Sequence, residues 1–367
     1  MTTRQPRAFS DLPIPPGEVL AEEIEARQMT QRELAARLGR PTQAINEIIK
    51  AKKAITPDTA IGLEKALGIY AQFWVNLESD YRMTLARNRE RDTLAASVEW
   101  LNHYPIRDMM KRGWIQAGRD RLSKLEALLS FLGVASAEPR AYQQAVGFRM
   151  TEAAQNRISP GALAVWLRKG ELDALEASTR KYDERVFKRA LDRIRQMTEL
   201  PPSAFIPAMS RLCADAGVVF CMVQELPKSG ANGATRWLSG RKALIQMSNR
   251  NKWADVFWFT FFHEACHVLK HRTHRRIVID GIGEDPEMVE IEAEANRFAR
   301  DFLIPPGAWR DFCDADDFAA GSITAFARSA RIAPFIVVGR LQREEKIGYN
   351  RLAHLKVRYE WVADSGK

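Results

Sequence analysis

The sequence predicts a mainly α, multidomain protein: an N-terminal five-helix helix-turn-helix domain, a helical connector, and a C-terminal α+β domain with a small sheet. Three observations carry that expectation. Apolar residues recur at helical spacing through residues 16–82 and, less regularly, through 83–205. The texture changes after residue 206, where β-rich runs appear. A long apolar-aromatic helix then carries the pattern H-E-x-x-H at His263–His267. A chain of 367 residues exceeds one ordinary core, so two or three domains are expected.

The bulk properties narrow the function classes. Hydrophobic residues are 46% and charged residues 28%, as in a globular protein folded in water. No apolar run is long enough to span a bilayer, and residues 1–18 hold no apolar signal-peptide core. A cytoplasmic location with no membrane partner is expected. Cys213, Cys221, Cys266 and Cys313 form no C-x-x-C pair and are read as reduced, buried thiols. A net charge of +9 suits a nucleic-acid partner without proving one.

In chain order, residues 1–15 read as a disordered tail ending in "LPIPPGE". Residues 16–82 hold "GEVLAEEIEARQ", "TQRELAARLG", "PTQAINEIIKA" and "TPDTAIGLEKALG". Thr30, Pro41-Thr42 and Thr56-Pro57 are start signals, and Gly39 and Gly68 are stops. Residues 83–205 contain further helices, beginning with the amphipathic "RNRERDTLAASVEWLNHY". They have no repeat period and are read as a connector or sensor region that reveals no ligand. In residues 206–367, "GVVFCMV" and "KALIQMSN" are strands around a Gly-rich turn, "SGANGATRWLSGR". The HEACH helix follows, then "PEMVEIEAEANRFARDFLIP", stopped by Pro305-Pro306. "SITAFARSARIAPFIVVGRLQREEKI" reads as two short helices capping the C-terminal core.

On a helix, H-E-x-x-H puts two imidazoles at i and i+4 on one face, where they can share a metal, with the glutamate between them able to deprotonate a bound water. The preceding "VFWFTFF" buries this helix, and buried imidazoles beside a buried carboxylate need compensation that a cation supplies. Zinc takes a third protein ligand and keeps one open position. On the helix at 286–303, Glu292 falls beside Met288, Ala295 and Ala299 at the edge of the apolar stripe. It is the better-placed third ligand. Glu294 points further round and reads as solvated, as do His271 and His274.

"FTFFHEACHVLKH" followed by "EAEANRFARDFLIP" resembles the ImmA/IrrE family of metallopeptidases over roughly residues 206–345. That family pairs H-E-x-x-H with E-x-x-A-N-x-F-A one helix later, here Glu292, Ala295, Asn296, Phe298 and Ala299. The resemblance implies a zincin-like domain with Zn2+ (Mn2+ as the alternative) on His263, His267 and Glu292, and Glu264 as catalytic base. Asn296 is read as supporting a ligand or packing the helix. The resemblance further implies cleavage of a repressor protein. A substrate peptide would add to a sheet edge, for which "ALIQMSN" (243–249) is the candidate.

Upstream, "TQRELAARLGRPTQAINEIIKAKK" has the rhythm of a helix-turn-helix. Gln31 opens the first helix, where it can hold a phosphate. Thr42, Gln43, Asn46 and Lys50 line the exposed face of the second helix, and the amides suit adenine in the major groove. Arg40, Lys52 and Lys53 complete the candidate DNA-binding set. Residues 15–81 resemble the HigA-type antitoxin repressors of the XRE class, through P-G-E-V-L, T-Q-x-E-L-A, A-I-T-P-D-T-A and F-W-x-N-L-x-x-x-Y. Usual members carry Ser near Asn46, so operator preference does not transfer. The resemblance implies a homodimer on palindromic double-stranded operator DNA.

Two readings follow. In one, the chain is a DNA-binding transcriptional regulator with a zinc-dependent endopeptidase domain that cleaves a repressor or antitoxin. In the other, it is an antitoxin-like autorepressor, with a cognate toxin as partner, whose C-terminal half senses a ligand or partner without peptidase activity. Intact His263, Glu264, His267 and Glu292 favour the first.

Overall fold

The computed structural model describes residues 12–137, 158–272, 278–279 and 286–361. Most of the expected N-terminal tail (residues 1–11) and His274 lie outside the described residues. The chain divides into two compact units, with the break after Val98. No helix of the described residues is long and apolar enough to cross a membrane.

The first unit contains α1 (Pro16–Ala26), α2 (Gln31–Leu38), α3 (Thr42–Ile49), α4 (Pro57–Leu67) and α5 (Ala71–Ala95). The caps are those expected. Thr30 Oγ1 accepts from the Glu33 amide at 3.1 Å, the Thr56 hydroxyl accepts from the Thr59 amide, and Gly39 and Gly68 end their helices at positive φ. Leu20, Leu34, Ile45, Ile48, Leu63 and Trp74 form the core. α5 runs unbroken through the expected border at 82/83. The first half of the amphipathic stretch, from Arg87 to Ala95, is therefore the end of this helix, not the start of a connector, and from Val98 to His103 the chain forms a short 3-10 turn. Gly17 lets α1 lie directly on α3, because a Cβ there would sit 2.1 Å from the Ile48 carbonyl oxygen.

The second unit begins with α6 (Ile106–Lys111), α7 (Arg121–Leu132), α8 (Pro160–Glu176), α9 (Glu184–Arg195) and α10 (Pro202–Asp215). Its sheet has β1 (Val218–Val223), β2 (Gly233–Ser239), β3 (Lys242–Ser248) and β4 (Val278–Ile279), in the order β1-β3-β2-β4. After the sheet come α11 (Ala254–Lys270), α12 (Pro286–Leu303), α13 (Pro306–Asp314), α14 (Ala320–Ala330) and α15 (Pro334–Arg343).

Strand alternation explains the layering. Val219 and Leu244 pack with Ala174 of α8, whereas Val218, Phe220, Ala243, Ile245 and Met247 enter the main core with α11. β3 pairs with β1 in parallel and with β2 antiparallel, so residues 243–249 are the centre of the sheet and not the expected edge. Covered on both faces, this strand reads as a continuous apolar run. The "Gly-rich turn" is likewise corrected: its residues 233–239 are β2.

The described residues of the expected connector beyond Val98 are also built into this unit. Trp166 Nε1 donates to the Val223 carbonyl at 3.2 Å, and Gln246 Nε2 donates to the Trp166 carbonyl at 2.7 Å. α8 is thus a layer of the sheet, and 205/206 is not a boundary. The C-terminal helices contribute Ile323, Ala327, Phe335, Val337 and Leu341 to the main core, and all four cysteines are free thiols.

Gly17→Ala is expected to destabilise the first unit by about 1–3 kcal/mol through forced overpacking. Hydrogen–deuterium exchange of the full chain should show faster exchange in α1 and α3, with peptides of the second unit unchanged.

Candidate metal centre and nucleic-acid interface

α11 is buried over most of its surface because the sheet, α12 and α15 enclose it. Phe257, Trp258, Phe261 and Phe262 are buried, and His263, Glu264 and His267 are carried inside with them. The i, i+4 spacing brings His263 Nε2 to 3.1 Å from His267 Nε2. Glu292 reaches across from α12, with Oε2 at 3.2 Å from His263 Nε2 and Oε1 at 3.4 Å from His267 Nε2. These three side chains are a group that could hold a metal ion.

The outward nitrogens are engaged elsewhere. His263 Nδ1 lies 3.0 Å from Asn296 Oδ1, a contact in which the ring must donate. His267 Nδ1 lies 2.9 Å from His271 Nδ1, and His271 Nε2 lies 3.0 Å from Glu294 Oε2. One proton arrangement satisfies the whole chain: His267 donates to His271, and His271 donates to Glu294. Both Nε2 atoms are then lone pairs facing each other and a carboxylate. Three Lewis bases about 3.3 Å apart match the edges of a tetrahedron whose metal–ligand bonds are about 2.0–2.1 Å. The residues present therefore fit a zinc-like ion.

Electrostatics agree with this arrangement. Burial holds His267 below the ordinary histidine range, opposed by its contact with Glu292. Burial alone would raise the Glu292 carboxyl, but the contacts with His263 and His267 overcome it and hold the group at about 2. Glu292 is thus a carboxylate, the form a metal requires.

Glu264 is positioned from β2. The Thr235 hydroxyl lies 2.6 Å from Glu264 Oε2 and 3.0 Å from the Glu264 carbonyl oxygen. A Cβ at Gly233 would sit 2.7 Å from Glu264 Oε1, so the strand presents bare backbone there. Sequence reasoning missed Gly233 and Thr235, although glycine in a strand is a signal of close approach.

His271 and Glu294 also need correction. His271 is 7% exposed, not solvated. Glu294 remains at the surface, but its carboxylate spans His271 and Lys270, the latter at 2.7 Å. Those two contacts, Lys270 first, lower its pKa. The H-x3-H-x3-H spacing of 263, 267 and 271 was the available signal.

In the first unit, Thr42, Gln43, Lys50, Lys52 and Lys53 are exposed, and Gln31, Arg40 and Asn46 are half-buried. Asn46 Nδ2 donates to Gln31 Oε1 at 3.3 Å, linking α3 to the start of α2. Gln43 Nε2 donates to Glu47 Oε1 at 3.0 Å. Of the expected set, the structure brings Gln31 and Asn46 together across the α2–α3 pair.

Residues 20–74 match the family described as Helix-turn-helix (HTH_3). The chain is 35% identical over 83 residues to Virulence-associated protein I of Dichelobacter nodosus, covering 22% of this chain and 77% of that protein. Among solved structures, an addiction module antidote protein of a HigA family from Coxiella burnetii is 35% identical, covering 23% of this chain and 92% of that one, with a TM-score of 0.22. The Pseudomonas aeruginosa antitoxin HigA with the higBA promoter is 31% identical, covering 22% and 90%, with a TM-score of 0.22.

Thr235→Val, which keeps the side-chain shape but removes the hydroxyl beside Glu264, is expected to cost about 1–3 kcal/mol. Urea unfolding followed by tryptophan fluorescence checks this. Gly233→Ala should act in the same direction through its clash with Glu264.

Proposed function

The chain belongs to the helix-turn-helix family, and from that premise we propose a regulator in two parts. The first unit binds double-stranded operator DNA as a homodimer, with Gln43 and Asn46 reading bases and Gln31, Arg40, Lys50, Lys52 and Lys53 holding phosphates. The second unit is a zinc-dependent endopeptidase that hydrolyses a peptide bond in a repressor or antitoxin.

The observation that carries the peptidase reading is the convergence of His263 Nε2, His267 Nε2 and the Glu292 carboxylate beside a buried Glu264. Those three side chains would hold the ion. Bound zinc supplies Lewis acidity toward a peptide carbonyl and toward water. Glu264 takes the proton of the attacking water and delivers it to the leaving amine. Thr235 fixes the Glu264 carboxylate, and Asn296 and His271 fix the two imidazoles through their outward nitrogens.

One feature favours a second reading. Both imidazoles are 1% exposed, and among the three candidate ligands it is the carboxylate of Glu292, at 22%, that reaches the surface. A purely structural ion in a sensing antitoxin would be enclosed in this way.

Elemental mass spectrometry is expected to find about one zinc per wild-type chain and little in Glu292→Ala. Glu264→Gln should retain zinc. Terminal-amine proteomics on cells expressing wild type or Glu264→Gln should reveal new protein N-termini with wild type alone. Zinc without any such termini would exclude the peptidase and leave the structural-ion reading.

For the first unit, Gln43→Ala and Asn46→Ala should each cost about 1–3 kcal/mol on the preferred operator and relax sequence preference. Lys52→Ala and Lys53→Ala should weaken binding to all sequences and reduce the salt slope by about one each. Fluorescence anisotropy on DNA from the protein's own promoter measures both.

A further inference from the structure

A cleft of about 730 Å³ lies against the candidate metal centre. Its inner wall includes Phe259 and Thr260, one turn before His263, together with Asn296, which holds the His263 ring, and Asn232, next to Gly233. Leu303, Ile304 and Ile336 make part of the wall apolar. At Asn232 and Trp253 the cleft meets a second hollow of about 470 Å³, whose wall carries Arg250, Lys252 and Arg358.

The combined lining holds seven Lys and Arg side chains against two carboxylates. Both carboxylates are already paired, Asp255 with Lys356 and Glu344 with Arg340. Arg340 is committed to structure: it also donates to the Arg300 and Ile304 carbonyls and stacks on Trp309. Arg300 pairs with Asp301, and Arg250 with Glu225. Lys252, Arg343 and Arg358 remain, all exposed, with no carboxylate paired to them among the described residues. Arg358 lies over the ring of Trp253, itself 37% exposed, at 5.0 Å. The result is a channel with a partly apolar wall beside the HEACH helix and cationic side chains both along it and in the adjoining hollow.

We propose that this cleft seats an extended segment of the protein substrate and that Lys252, Arg343 and Arg358 select acidic residues in it. The proposal rests on the peptidase reading and deepens it: the substrate carries a cluster of Asp or Glu on one side of the bond to be cut. A polypeptide suits the cleft better than a nucleic acid strand. The cleft borders Asn296, which holds the His263 ring, and its wall is lined by the aliphatic Val256, Leu303, Ile304 and Ile336 more than by rings, of which it has Trp253, Phe259 and Tyr349. Charges at an exposed rim act mainly through encounter and selection, so their effect falls with salt.

The test uses the full-length Glu264→Gln chain and three fluorescein-labelled probes in anisotropy titrations: a hexaglutamate peptide, a hexalysine peptide and a twelve-nucleotide oligo-dT. Hexaglutamate is expected to bind in a salt-sensitive way, and hexalysine is not. The triple reversal Lys252→Glu, Arg343→Glu, Arg358→Glu should weaken hexaglutamate binding at least tenfold, with an unchanged melting curve. Lys52→Glu with Lys53→Glu, on the DNA face, should leave it unaltered. No hexaglutamate binding, or binding indifferent to the triple reversal, overturns the proposal. Oligo-dT bound more tightly than hexaglutamate, and lost on the triple reversal, overturns it in favour of a nucleic-acid site. These titrations report the cleft, whereas zinc content and new N-termini report the peptidase, so the two can fail separately.

Discussion

Two buried imidazoles, with a carboxylate that reaches them from nearer the surface, impose the constraint on which the rest of the second unit depends. Buried polar groups are tolerated only when each finds a partner. Asn296 on α12 holds His263, His271 at the end of α11 holds His267 and is itself held by Glu294, and Thr235 on β2 holds the neighbouring Glu264. With the outward nitrogens committed, the inward ones face each other as bases. A cation at that point would turn three mutually repelling donors into a coordination set.

The architecture supplies the closeness that this requires. α11 is held between the sheet and α12, and the approach is set by residues without bulk. Gly233 lets β2 pass over Glu264, and Gly170 lets α8 pass over the Gln246 amide on the opposite face, where a Cβ would lie 1.9 Å from the Gln246 side-chain oxygen. The same device recurs in the first unit, where Gly17 seats α1 on α3, the helix that carries Gln43 and Asn46. Sites in both units thus rest on rigid elements brought together at backbone distance, which suits groups that must keep their geometry.

The helix-turn-helix was readable because its determinants are local. Thr30, Gly39, Thr56 and Gly68 punctuate the chain within a few residues of the ends they define, and the structure uses each as a cap. His263 and His267 were readable for the same reason, since the helical repeat alone puts i and i+4 on one face. Glu292 could be singled out because it borders an apolar stripe on its own helix. His271 continues the i, i+4 spacing of the pair, whereas Glu294 looks solvated on its own helix, and only the packing of α12 along α11 brings the two to 3.0 Å.

By itself, then, the sequence determined what depends on short-range periodicity and capping: the helices, their caps, the imidazole pair and the polar face of α3. Tertiary structure alone decided what depends on neighbours distant in the chain. It placed β3 at the centre of the sheet, made β2 from a segment that reads as a turn, and built α8 into the sheet domain. It also carried α5 through a border suggested by composition. The physical reason is common to all of these. A strand's position, a glycine's close approach and a domain's limits are set by which surfaces bury one another, and that is a property of pairs of elements, not of either one alone.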